Sequence, residues 1–266
     1  MRSRRTVLAQ LLKTATAVGL LQLLQVDRAL ALGVDHEIQS WARRVDTICR
    51  DLRVQTLSAG EWQLEVERLM RSVALEDLLK AIDFDRLEAL LNYPELGVDT
   101  QRVRFRDDNG ASEFGFVAKL FGMNPDRAII PHGHRNMVSA HTVLGGKFHL
   151  RQYERLEREG DSLIVRPTVD EHVGAGHASS ISDERNNIHW LIARGGRSYT
   201  LDVIVVGLDA EQPSYEIENL DADRATPLGD EKLRMPIIGV EEALSRYGQS
   251  HHQDSEREVT PAAKRA

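Results

Sequence analysis

The chain has 266 residues, 41% of them apolar and 28% charged, which is enough for one core of ordinary size. With 5% aromatic residues, a formal net charge of −7 and no uninterrupted apolar run of about 18 residues, it lacks the signatures of a nucleic-acid grip and of an integral membrane span. The single cysteine, Cys49, rules out an intramolecular disulfide framework and a thiolate-rich zinc site, so the ten histidines are the candidate ligands.

Residues 1–31 have the layout of an export signal: basic residues first, a moderately apolar middle and a small-residue ending at Ala29-Leu30-Ala31. Arg4-Arg5, followed by Thr6-Val7-Leu8, resembles a twin-arginine signal, which implies a translocase partner during export of a folded protein to the periplasm or beyond. Asp27, close to the cleavage point, favours the alternative of an amphipathic helix on a cytoplasmic protein. Removing this segment takes away five basic residues and one acid and moves the net charge to −11, which argues further against polyanion partners.

Residues 35–100 read as helical. Ile38, Trp41, Ala42, Val45, Ile48, Cys49 and Leu52 form one apolar stripe, and this periodicity accounts for Cys49 as a buried core residue. Ser58 with Glu61 is a capping-box pattern opening a second helix through Trp62, Val66, Leu69, Met70 and Val73. Shorter helices carrying Leu78, Leu79, Ile82, Leu87, Leu90 and Leu91 end at Asn92-Tyr93-Pro94.

Over residues 101–208 the period changes to two, as in Phe114, Phe116, Ala118 and Leu120, and Val203 to Val206 is a β-branched run. Asn109-Gly110, Gly145-Gly146, Gly160-Asp161, Asn186-Asn187 and Gly195-Gly196 read as hairpin turns between eight or more short strands, which predicts an all-β barrel or sandwich. Residues 209–266 are expected to form an extension with one short helix near Val240 to Tyr247 and a disordered tail.

The histidines concentrate in the β-region. His132 and His134 stand at i and i+2 in Pro131-His132-Gly133-His134, so on a strand both face one side, and His189 can join them from another strand. Three imidazoles suit iron(II), zinc, nickel, manganese or copper; exposed loop histidines and a core histidine are the competing reading. His141 shares the inward face with Ser139 on an unbroken strand, where it would be a ligand, a general base, a donor to bound oxygen or a wall residue bonded to backbone. His149, His172 and His177 are read as structural or solvated. Phosphate-cradling, dinucleotide-binding, nucleophile-elbow and zincin motifs are absent.

These residues resemble the cupins and, within them, the cysteine dioxygenase-like group, over residues 101–208. The first cupin motif carries a glutamate after its HxH pair; here Arg135 to Gly145 follow His134, then Gly146, with no glutamate between. Thiol dioxygenases also lack it and hold their metal by three histidines, so the resemblance implies a double-stranded β-helix barrel with His132, His134 and His189 around iron(II). It also implies that Arg106 holds a substrate carboxylate, a task to which the planar guanidinium fork is suited. The family's cross-linked cysteine and tyrosine correspond here to Ser139 and Ile204, and a nearby histidine to Asp202, which departs from the thiol-oxidising pattern. Two functions follow as expectations: a mononuclear non-haem iron dioxygenase of a small carboxylate-bearing substrate, such as a thiol, and a non-catalytic cupin binding a small ligand or metal.

Overall fold

The computed structural model describes residues 36–105, 113–212 and 215–249. Among the described residues four helices lead: α1 (His36–Arg53), α2 (Ala59–Ser72), α3 (Leu75–Ala81) and α4 (Phe84–Glu88). The apolar stripe of α1 is buried as its periodicity predicts, with Val45 and Cys49 fully enclosed. The capping box that opens α2 is complete: the Ser58 hydroxyl accepts from the Glu61 amide, and the Ser58 amide donates to the Glu61 carboxylate at 2.9 Å. The indole of Trp41 donates to the Leu69 carbonyl at 2.9 Å, which ties the two long helices together.

Ten strands follow: β1 (Asp99–Val103), β2 (Val117–Met123), β3 (Ala128–Arg135), β4 (Met137–Glu159), β5 (Ser162–Gly174), β6 (Ala178–Ile181), β7 (Ile188–Val206), β8 (Glu216–Leu220), β9 (Thr226–Gly229) and β10 (Lys232–Ile238), and then helix α5 (Val240–Tyr247). All pairings are antiparallel, and β7–β3–β8–β10–β5–β4–β7 closes on itself. The fold is an all-β barrel with an N-terminal helical segment, a double-stranded β-helix.

Its organising element is the β4·β7 ribbon, paired from Met137 with Val206 to Tyr153 with Ile188. Gly145-Gly146 and Gly195-Gly196, expected to be hairpin turns, instead lie inside these two long strands. The pairing shifts register around Gly145, and Gly146 and Gly195 have φ of +76° and +74°. A Cβ on Gly146 would stand 2.3 Å from the Ser198 hydroxyl and 2.6 Å from the Arg197 carbonyl, so only glycine lets the two strands bend together. The expectation of eight or more short strands fails for the same reason, since β4 and β7 run for 23 and 19 residues. Gly160-Asp161 does form the β4–β5 hairpin, Asn186-Asn187 leads into β7, and Asn109-Gly110 lies outside the described residues.

Bending the ribbon creates two limbs. The limb with the start of β4 and the end of β7 turns Val138, Ala140, Leu201, Val203 and Val205 toward the helices. Its other face meets the second limb across Met123, Val143, Phe148, Leu150, Leu191 and Ala193, which fill the space between them. The sheet also continues past residue 208, because β8 and β10 pair with β3 and β5. The expected short helix is α5, whose Tyr247 packs on Trp190. No helix among the described residues is long and apolar enough to cross a membrane.

Candidate metal centre

Strand β3 brings His132 and His134 to one face, and pairing places His132 opposite His189 of β7, itself opposite Gln152 of β4. One ligating atom from each of His132, His134 and His189 lies within 4.8 Å of the others, a grouping that could hold a metal ion. Gly133 is required between them: a Cβ there would fall 2.8 Å from the Asn187 side-chain oxygen and 3.0 Å from Ile188. Asn187, just before β7, fixes the second histidine by donating from Nδ2 to the His134 carbonyl at 2.7 Å and to the Ser182 carbonyl at 3.2 Å. Asn136, with φ of +57°, turns the chain from β3 into β4.

The donor set suits a cation that accepts nitrogen ligands. Nδ1 of His132 lies 2.6 Å from the Ile130 carbonyl; donating there, it leaves Nε2 as the lone pair. His134 and His189 each keep a buried Nδ1 with no hydrogen-bond partner. Burial pushes His132 down to about 4, and burial followed by the mutual repulsion of the cluster holds His134 and His189 well below the ordinary imidazole range. All three imidazoles are therefore neutral near pH 7, the form that ligates metals. Orphaned buried nitrogens are costly alone, and a metal ion satisfies them.

His141 enters from the other limb. Its ring centroid is 5.0 Å from that of His189. Its Nδ1 bonds Asp202 Oδ2 at 2.6 Å, while Thr200 donates to Asp202 Oδ1 at 2.7 Å. His141 and Asp202 are buried, and the Nε2 of His141 has no partner. In the neutral ring the carboxylate therefore fixes the tautomer, with the proton on Nδ1 and a lone pair on Nε2. Of the four inward roles open to His141, a wall residue bonded to backbone does not fit these contacts. Asp202 and Thr200 were not singled out as site residues by sequence reading; the available signal was their polarity at alternate positions of the otherwise apolar Leu201, Val203, Val205 run. Ser139 and Ile204 stand directly opposite each other, so no cysteine–tyrosine link is available at that pair.

The other singled-out residues lie elsewhere. His149 stacks on His172 at 4.6 Å and bonds Asp170, and His177 follows the Gly176 turn. Burial pushes the Cys49 thiol up to about 12, which fits a core residue and not a reactive one. Arg106, the export segment and the tail beyond residue 249 lie outside the described residues.

No protein-family model matches the chain, and no curated protein matches it. Among solved structures it is similar to procruciferin, the 11S globulin of Brassica napus, at 11% identity and a TM-score of 0.33, over 49% of this chain and 29% of that one. It is also similar to KdgF from Halomonas sp., at 16% identity and a TM-score of 0.29, over 41% of this chain and 77% of that one. A conserved protein with a double-stranded β-helix domain from Klebsiella pneumoniae subsp. pneumoniae is 14% identical with a TM-score of 0.32, over 49% of this chain and 92% of that one. The chain thus spans less than a third of the length of the globulin.

Proposed function

We propose that this protein is a cupin-type mononuclear non-haem iron dioxygenase of a small, carboxylate-bearing substrate, a thiol being one candidate. The observation that carries the reading is the convergence of His132, His134 and His189, neutral and with unpartnered nitrogens, with no carboxylate in the set. Iron(II) held by them would bring O₂ and the substrate together and let oxygen accept the electrons that the sulfur gives up. The chain's own part is to hold that position rigidly and to manage a proton. The lone pair on His141 Nε2 is the group placed to accept a hydrogen bond, or the proton itself, from a substrate thiol. Asp202 would stabilise the resulting imidazolium, and Thr200 keeps Asp202 in register.

The opposition of Ser139 and Ile204 supports a second reading, a non-catalytic cupin that binds a small ligand or a metal such as zinc, nickel, manganese or copper. Oxygen uptake by the iron-loaded protein with cysteine and with 3-mercaptopropionate separates the two. The enzyme reading expects O₂ consumption above that of free iron(II), lost in His141→Ala at equal iron content. No consumption with either thiol leaves the binding reading in its place. Export belongs to the same proposal: replacing Arg4 and Arg5 by lysine should leave an uncleaved precursor in the cytoplasm, and normal processing would remove the twin-arginine claim.

A further inference from the structure

Helix α2 and the turn between β6 and β7 are joined by a buried polar network that the proposed chemistry has not yet used. Gln63 lies on the face of α2 that also buries Trp62 and Val66, and it is fully enclosed. An enclosed amide is costly unless both its donor and its acceptor are met. Here Oε1 accepts from the Ser182 hydroxyl at 2.7 Å, and Nε2 donates to the Arg185 carbonyl and the Ser180 hydroxyl, each at 3.2 Å. The Ser180 hydroxyl gives its own proton to the carboxylate of Glu67, one turn further along α2. In the first turn of the helix, the Gly60 amide donates to the Glu184 carboxylate at 2.8 Å.

The turn held in this way is the one that sets the metal centre. Ser182, 1% exposed, accepts at its hydroxyl from the amides of Glu184 and Arg185 at 3.0 and 3.1 Å, while its proton goes to Gln63. Asn187 ends the turn two residues before His189, and its Nδ2 reaches the Ser182 carbonyl, the Asp183 carboxylate and the His134 carbonyl. Asp183 also accepts from the Asn136 amide at 3.0 Å, just after β3. A continuous path therefore runs from Gln63 through Ser182 and Asn187 to the backbone of His134, and the same turn delivers His189 at the start of β7. A shift of the turn would move two of the three imidazoles, one through Asn187 and one through the chain itself.

We infer, on the reading of His132, His134 and His189 as a metal site, that Gln63 is a positioning residue of that site: it holds the 182–187 turn from helix α2 so that Asn187 keeps His134 in place. The helical segment is then part of the support of the metal centre and not an annex to the barrel. Groups that hold metal ligands from behind fix their orientation, and losing one lowers metal affinity by about ten- to a hundredfold. Glutamine suits the task because the turn offers a hydroxyl donor and a carbonyl acceptor at one point, and a carboxylate or an ammonium would leave one of them unmet. Val66, three positions along on the same face, belongs to the apolar core and has no part in these bonds.

Full-length protein, stripped of metal and titrated with cobalt(II), supplies the test, read by the visible absorption of the bound ion and by amide hydrogen exchange of the metal-free protein. Gln63→Met is of similar size and lacks the amide. It should weaken cobalt binding by about tenfold, alter the absorption of the bound ion and speed exchange over residues 182–189. Val66→Ala opens a cavity in the same helix face and should change neither the affinity nor the absorption, which separates positioning from a general loss of stability. Ser182→Ala removes the same bond from its other partner and should reproduce the cobalt effects even where the methionine variant does not fold. Unchanged affinity and absorption in Gln63→Met, or in Ser182→Ala if that variant alone folds, would overturn the assignment, as would an equal loss in Val66→Ala. A wild type that binds no cobalt would refute the metal reading and with it the role at the metal; faster exchange over residues 182–189 in Gln63→Met alone would then leave only the hold of α2 on the turn standing.

Discussion

Two groups of histidines in this barrel look alike by distance and differ in how many ligating nitrogens they bring together. His149 and His172 stack at 4.6 Å beside Asp170, and His132, His134, His189 and His141 stand 4.4 to 5.2 Å apart beside Asp202. On the outer pair, Asp170 is 63% exposed and shared with Arg151, and a single nitrogen, His149 Nδ1, is buried without a partner. In the inner group, His132 is half-buried, Asp202 is 4% exposed, and one nitrogen each of His134, His189 and His141 is buried without a partner. Proximity of imidazoles is therefore common to a surface pair and a candidate site. What separates them is number and convergence: three imidazoles with ligating atoms within 4.8 Å of one another, against one unpartnered nitrogen in the outer pair.

This contrast can be broken by deleting the two carboxylates in turn. Asp202→Ala strips His141 Nδ1 and the Thr200 hydroxyl of their acceptor inside the barrel and should cost about 2 to 6 kcal/mol in denaturant unfolding, at about 1 to 3 kcal/mol per orphaned group. The bend that brings the limbs together is next: Gly146→Ala should cost about 1 to 3 kcal/mol, because it adds a clash with Ser198 to a left-handed backbone. A melt of Gly146→Ala at the wild-type temperature would show that the ribbon bends without glycine.

Acid should act on the inner group through its depressed pKa values. The unfolded histidines take up protons near pH 6.5 while the folded ones resist, so the unfolded state binds more protons. The stability of the metal-free protein should accordingly fall as pH drops from about 6.5 toward 4 for His132, with His134 and His189 adding a loss of the same sign below about 6.5, at up to about 1.4 kcal/mol per unit for each histidine. Urea midpoints at pH 7 and pH 5 measure this, and equal midpoints would contradict the neutral, buried assignment. The smallest effect belongs to the outer group: Asp170→Ala should change stability by less than about 1 kcal/mol and leave metal content untouched.

Much of this was legible in the chain. The apolar stripe from Ile38 to Leu52 and the Ser58–Glu61 box specify helices because a 3.6-residue period and a local hydrogen-bonded cap need no tertiary knowledge. The pairing of His132 with His134 was legible for the same reason, since alternation alone puts them on one face. The glycine corners were not, because a glycine pair looks the same in a hairpin and in a bent strand. The outcome depends on whether a partner strand continues across it, as β7 does from Arg194 to Tyr199 opposite Lys147 and Gly145. Strand β8 escaped notice because it is mostly polar, and β10 because Pro236 interrupts the alternation of Leu233, Met235 and Ile237 with polar residues.

The central claim is that the inner histidines, and not the outer ones, form a metal site, and elemental analysis of purified protein tests it most directly. The account predicts about one metal ion per chain in the wild type and in His149→Ala, and a loss of roughly tenfold or more in each of His132→Ala, His134→Ala and His189→Ala, since two remaining donors hold a divalent ion poorly. Full occupancy in His189→Ala, or a loss in His149→Ala equal to that in the inner variants, would contradict it.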